Sequence, residues 1–173
     1  MEYAKLIHNK VFKDNRGTFA PLSLKYENSS NTELNKNWLQ SNISVNPLEY
    51  TFRGLHFQVG DKAQCKLIKV IDGSILDFVI DMRPESPYYM ELQVFYLDPD
   101  DELIVPRGYA HGFLTKTPQT VVQYLVDNEY SPENEGSIYW KEVEDLRFIL
   151  EEIEDRLVIS DKDLVTKNFK NEK

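Results

Sequence analysis

The sequence predicts an all-β fold, a sandwich or barrel of short antiparallel strands with a short helical C-terminal region. Strand-like segments recur at short spacing from "LQSNISVN" to "QTVVQYLVD". Turns containing Pro, Gly and Asp separate them, and no helical periodicity intervenes.

Taken in order, "KDNRGTF" reads as a polar turn entering an apolar run, and "KYENSSNTELNKN" as an exposed loop. "LQSNISVN" alternates, and "YTFRGLHFQ" follows it. "CKLIKVI", an Asp72-Gly73 turn and "SILDFVID" read as the clearest hairpin of the chain. In its second strand Leu76, Phe78 and Ile80 share one face, and Ile75, Asp77, Val79 and Asp81 the other. "MELQVFYLD", "DELIVP", "AHGFLTK" and "QTVVQYLVD" continue the series. After about residue 143 the period changes: "VEDLRFILEEIEDRL" places Leu146, Ile149, Leu150, Ile153 and Leu157 at helical spacing. The tail "SDKDLVTKNFKNEK" is polar and is expected to end loosely. Neither a repeat nor a linker divides the chain, so residues 1–173 are expected to form a single domain.

Composition excludes several classes of function. The chain is 41% apolar, with 10 Tyr, 9 Phe and 2 Trp, which is globular rather than disordered. A lone cysteine, Cys65, rules out an internal disulfide framework and leans towards a reducing compartment. The first residues hold no apolar leader core, and no apolar run approaches the roughly 20 residues that span a bilayer. A soluble, cytoplasmic protein is expected. A net charge of −9 argues against nucleic acid and acidic membranes as partners, which need a basic surface. It leaves room for a small anion, which a few converging Arg and Lys side chains can hold.

The chain has three histidines, His8, His56 and His111. A lone histidine among apolar neighbours is more often structural than functional. His56 follows Gly54-Leu55, however, and His111 precedes Gly112, and a glycine lets backbone approach a ligand. A pocket is therefore expected. A metal site is not: no His-x-His occurs and no Glu follows His56 closely. Tyr124, Tyr130, Lys66, Arg53 and Arg16 each have an ordinary reading, as strand formers or solvated charges.

Together they form an ordered set: "RGLHFQ", "QCKL", "DMRPESP", "PRGYAHGF", "YSPENEGSIYW" and "SDKD". This set resembles the dTDP-4-dehydrorhamnose 3,5-epimerase family of sugar-nucleotide epimerases, from "DNRGTF" nearly to the C-terminus. The resemblance implies a cupin-type double-stranded β-helix, or jelly roll, with no metal and no cofactor. It implies a nucleotide-diphosphate 4-keto sugar as substrate, and a homodimer that exchanges N-terminal segments. Epimerisation beside a ketone needs a base on one face, an acid on the other, and stabilisation of the enolate oxygen between them. By the resemblance His56 is the base, Asp163 its carboxylate partner, Tyr124 the acid and Lys66 the cation at the enolate. Arg16, Phe19, Gln40, Asn42, Arg53, His111, Glu135 and Lys162 match ligand-contacting positions, and Tyr130 the tyrosine that stacks on the base.

The chain departs from the family at its periphery. Ala20 and Pro21 stand where the family has a Glu, and Tyr124-Leu125 and Glu129-Tyr130 replace its Tyr-Lys and Tyr-Tyr pairs. The region 144–157 replaces its usual Ile-x-Trp-Pro. The base and acid positions are kept, so the implied function is 3,5-epimerisation of dTDP-4-dehydro-6-deoxy-D-glucose. The alternatives are a single-carbon (3- or 5-) epimerase or a 3,4-ketoisomerase of a related nucleotide-linked keto sugar, or a non-catalytic sugar-nucleotide-binding cupin.

Overall fold

The structure is a computed structural model, and it describes residues 4–8, 12–14, 17–19 and 38–166. The strands among these residues are β1 (Lys5–His8), β2 (Phe12–Asp14), β3 (Gly17–Phe19), β4 (Gln40–Asn46), β5 (Phe52–Gln58) and β6 (Lys66–Asp72). They continue as β7 (Ile75–Asp81), β8 (Leu92–Leu97), β9 (Asp101–Val105), β10 (Tyr109–Thr115), β11 (Thr120–Val126) and β12 (Glu135–Ser137). One sheet has the order β1-β9-β6-β11-β4, the other β12-β5-β10-β7-β8, and β2 pairs with β3 alone. From β5 to β12 the chain passes back and forth between the two large sheets, staying in one only from β7 to β8, as a jelly roll requires.

Each face of the second sheet has its own core, which explains the alternation in β7. Ile75 and Val79 point inward and meet Ile68, Val70 and Val122 of the facing sheet. Phe78 and Ile80 point outward and are covered by Trp140, Leu146 and Leu150. Leu146 and Leu150 lie on α1 (Glu144–Glu151) and are fully buried. Each such leucine contributes about 1.5–3 kcal/mol by leaving water. The C-terminal region is thus a lid on the outer face of this sheet.

Two expectations are corrected here. Asp72-Gly73 turns the chain but closes no hairpin: β6 pairs with β9 and β11, and β7 with β8 and β10. Both edges of each strand are occupied, so the two strands meet face to face through the core rather than edge to edge. The helix is eight residues long rather than fifteen, and a separate 3₁₀ turn covers Glu154–Arg156. Ile153 and Leu157 still pack on the outer core, from beyond the helix end. The start of the tail is held by the fold, while residues 167–173, where it is expected to end loosely, lie outside the described residues. Val158 forms a parallel bridge with Thr51, and Asp161–Leu164 forms a 3₁₀ turn. The Val165 carbonyl accepts a hydrogen bond from Ser137, and Thr166 accepts one from the Tyr139 amide. The expected loop at 25–37 and the departures at Ala20 and Pro21 lie outside the described residues.

The "DMRPESP" stretch is structural. Arg83 donates to both carboxylate oxygens of Asp81, at 2.9 and 2.7 Å, and Ser86 donates to it at 2.6 Å. Arg83 also donates to the Tyr109 hydroxyl at 2.7 Å, which ties the β7–β8 loop to β10. Burial pushes the Asp81 carboxyl up, but the bonds from Arg83 and Ser86 outweigh it and hold the pKa at about 2. The stabilisation from this depressed value is present above the ordinary carboxylate pKa near 4 and is lost as pH falls towards 2. Asp81→Asn should therefore cost about 2 kcal/mol at pH 7, read by urea denaturation. The gap from wild type should close as the pH falls from about 4 towards 2; a gap independent of pH would contradict the account.

Candidate active site

The site begins with an irregularity in β5. Along β10, His111 pairs with His56 and Phe113 with Arg53, so three steps on β5 match two on β10. The surplus residue makes a β-bulge. Gly54 sits in it at φ +126, with room for nothing larger: a Cβ there would lie 2.6 Å from the Gly112 Cα. The glycine serves the close contact between the two strands. The bulge also changes which residues share a face. Phe52 and Leu55 both enter the outer core, while Arg53 and His56 line a cleft at the mouth of the barrel.

The cleft has a volume of about 930 Å³, within the range of small-molecule sites. His56 Nε2 lies 2.7 Å from Asp163 Oδ1, although the two residues are 107 apart in sequence. Asp163 is brought there by the segment that bridges to Thr51, and the Gly54 amide donates to its second oxygen at 3.4 Å. Burial raises its carboxyl, but His56, Gly54 and Ser160 outweigh this and hold it below the usual range, as an anion. With Nε2–H donated to Asp163, His56 keeps the Nδ1 lone pair as its proton acceptor.

Lys66 begins β6, and Tyr124 lies in β11; both strands belong to the sheet opposite His56. Lys66 is not an edge charge but a buried ammonium that donates to the His56 carbonyl at 3.3 Å. Burial pulls its pKa down to about 8 against the attraction of Asp77 and Glu135. Burial and Glu135 hold the Tyr124 phenol above its ordinary value, against Arg53, so it remains a proton donor. His111 forms a second histidine–carboxylate pair, with Nε2 2.8 Å from Asp77 Oδ2. Burial raises the Asp77 carboxyl, and His111 and Lys66 oppose it.

The cleft wall carries Gln40, Asn42, Tyr130, Glu135 and Lys162. Gln40 donates to Asn42 at 2.6 Å, and Tyr130 donates to Glu135 at 3.1 Å. Arg16 lies outside the described residues, and Phe19 ends β3, paired with Phe12. All the other expected site residues line this one cleft.

The profile of the dTDP-4-dehydrorhamnose 3,5-epimerase family matches residues 1–171. The chain belongs to the dTDP-4-dehydrorhamnose 3,5-epimerase family. A Salmonella typhimurium dTDP-4-dehydrorhamnose 3,5-epimerase is 35% identical over 142 residues, 79% of this chain and 75% of that one. A Bacillus anthracis dTDP-4-dehydrorhamnose 3,5-epimerase, solved with TDP and pyrophosphate bound, superposes with a TM-score of 0.76. It is 35% identical, and the match covers 95% and 93% of the two chains. A Legionella pneumophila 3,5-epimerase in complex with dTDP-4-keto-L-rhamnose has a TM-score of 0.80 at 27% identity, covering 96% and 87%. Membership makes the chain an epimerase on a cupin fold, and among its described residues no helix is long and apolar enough to cross a membrane.

Against the family pattern, Leu125 in place of a lysine lies outside the cleft, packed beside Cys65, Leu67 and Ile104. Two supporting residues escaped the sequence reading. Asp77 shares a strand face with Ile75 and Val79, and an acid on an apolar inner face was the signal that could have found it. Asn46, fully buried, accepts from Arg53 Nε at 2.8 Å, and nothing in its local sequence marks it.

Lys66 carries a charge that the fold disfavours. A lysine whose folded pKa is lowered from 10.5 to about 8 destabilises the protein at every pH below 8, and the penalty disappears as pH rises towards 10.5. Lys66→Met should raise stability at pH 7 by about 2–3 kcal/mol, with the gain vanishing by about pH 10.5. Denaturant melts at pH 7 and pH 10 measure it, and a loss of stability at pH 7 would refute it.

Proposed function

We propose that this chain epimerises dTDP-4-dehydro-6-deoxy-D-glucose at C3 and C5, giving dTDP-4-dehydro-L-rhamnose. The observation that carries the reading is the placement of the His56–Asp163 pair and the Tyr124 hydroxyl on opposite sheets of one cleft. The names of the relatives support the substrate.

Each epimerisation begins with the C–H bond beside the ketone. His56 Nδ1 takes the proton, and the electron pair moves into the C4 carbonyl to form an enolate. Asp163 stabilises the imidazolium that results. The Lys66 ammonium meets the negative charge that develops on O4, an attraction larger in the transition state than in the ground state. Tyr124 then protonates the same carbon from the opposite face, which inverts it. Solvent restores the phenol and removes the proton from His56, and the second carbon follows the same course.

The nucleotide end is held by cations and a ring. Arg53 and Lys162, with Arg16, face the diphosphate, for which a guanidinium fork is well suited. Asn46 occupies Arg53 Nε and leaves the two terminal nitrogens for phosphate oxygens. Gln40, Asn42, His111 and Glu135 complete the polar contacts, with Phe19 from the N-terminal segment. Tyr130 stacks on the thymine. We further propose a cytoplasmic homodimer in which N-terminal segments carrying Arg16 and Phe19 reach the partner's cleft. The exposed Leu39, Ile43 and Val45 beside and along the edge strand β4 support it, as apolar surface that a second copy would cover. The single cysteine of the sequence, the buried Cys65, fits a reducing compartment.

In heavy water the protein should introduce deuterium at both C3 and C5 of the keto sugar, followed by NMR. Exchange at one carbon would select a single-carbon epimerase, a ketone moved to C3 would select an isomerase, and no exchange at all would sink the reading. His56→Ala and Tyr124→Phe should each lower turnover by about a hundredfold or more with the fold intact. Sedimentation should give twice the 20.3 kDa chain mass; a monomer would overturn the dimer.

A further inference from the structure

We propose that Gln58 is the positioning residue for Tyr130, acting on nucleotide affinity through the backbone on either side of that tyrosine. The inference rests on the reading above, in which Tyr130 lies against the nucleotide base.

The Tyr130 ring needs something to fix it, because packing does not. The residue is 55% exposed, and its one side-chain hydrogen bond among the described residues runs to Glu135. Its orientation is therefore set by its own backbone, in the loop between β11 and β12. Both peptide groups of Tyr130 are tied to one carboxamide. Gln58 Nε2 donates to the Glu129 carbonyl at 3.0 Å, and the Ser131 amide donates to Gln58 Oε1 at 2.8 Å. The second Nε2 hydrogen goes to the Lys62 carbonyl at 2.6 Å, which anchors the same amide to the turn Gly60–Lys62. Gln58 is 6% exposed and ends β5, the strand that carries Arg53 and His56. A rigid strand so transmits the position of the catalytic end of the cleft to a loop that has little packing of its own. Buried amides bound on both sides lose little freedom, and a loop held this way meets a ligand with its ordering cost already met.

Gln58→Met keeps the shape and removes all three bonds, while Gln58→Glu keeps the acceptor for Ser131 and turns lone pairs towards two carbonyls. Thymidine diphosphate binding, measured by calorimetry, should weaken about tenfold in Tyr130→Ala and about three- to tenfold in each Gln58 variant. KM for the keto sugar nucleotide should rise in parallel, with kcat at saturation within about twofold of wild type. In the Tyr130→Ala background, Gln58→Met should add almost nothing, because the two residues act on one contact. Wild-type diphosphate affinity in either Gln58 variant, an undiminished effect in the double variant, or a fall in kcat with KM unmoved would each overturn the proposal. Unaltered affinity in Tyr130→Ala itself would instead overturn the placement of the base. Should Gln58→Met fail to fold by its thermal melt, Gln58→Glu carries the same comparison.

Discussion

The close approach of β5 and β10 at Gly54 and Gly112 is the contact on which the site depends. A Cβ on Gly54 would lie 2.6 Å from the Gly112 Cα, and one on Gly112 would lie 2.6 Å from the Arg53 carbonyl oxygen. Neither strand could come this near with a side chain between them. The bulge that the approach permits shifts the alternation by one residue. Without it Arg53 would share a face with Leu55, and either the arginine or the leucine would be misplaced. With it the guanidinium and the imidazole stand on one side while Phe52 and Leu55 fill the outer core. The paired positions His56 and His111 then bring two histidines side by side, each with its own carboxylate.

Much of this architecture could be read from the sequence, and the failures share a cause. The alternation of β7 is legible because both of its faces are buried, each in its own core. The two-residue Asp72-Gly73 turn is misleading because its local chemistry is the same whether the strands it joins pair together or pass to opposite sheets. Only the partners of each strand decide that, and β9, β10 and β11 lie far along the chain. Lys66 resembles an edge charge for the same reason, since a single charged letter carries no record of the sheet that covers it. Asp163 is legible only through the family motif. No local pattern announces that a polar tail will return to a strand 107 residues earlier.

The lid formed by 138–157 shows how stability and chemistry are divided. The outer face of the second sheet holds the apolar contacts of Trp140, Leu146 and Leu150, remote from the cleft. The inner face gives up apolar packing at its open end, where Asp77 and His111 of this sheet and Lys66 of the facing one are buried instead. Buried charge is costly even when paired. A sheet with two cores tolerates it, because one face can be entirely apolar while the other is interrupted.

In the proposed reaction the buried groups also bear on the negative charge that develops at O4. Asp77 is the inner carboxyl beside both Lys66 and His111, and one of its oxygens has no hydrogen-bond partner among the described residues. Burial on one side and His111 and Lys66 on the other pull its ionisation in opposite directions. Lys66 meanwhile stands at about 8, low for an ammonium, because desolvation exceeds what Asp77 and Glu135 return. Negative charge arriving in the cleft acts in the direction those two carboxylates already act, and favours the charged lysine. An enolate oxygen does this more strongly than a ketone, since its charge is larger and equally shielded from water. In the proposed mechanism the ammonium that burial disfavours is thus the form that the enolate favours, and the difference would appear as transition-state stabilisation.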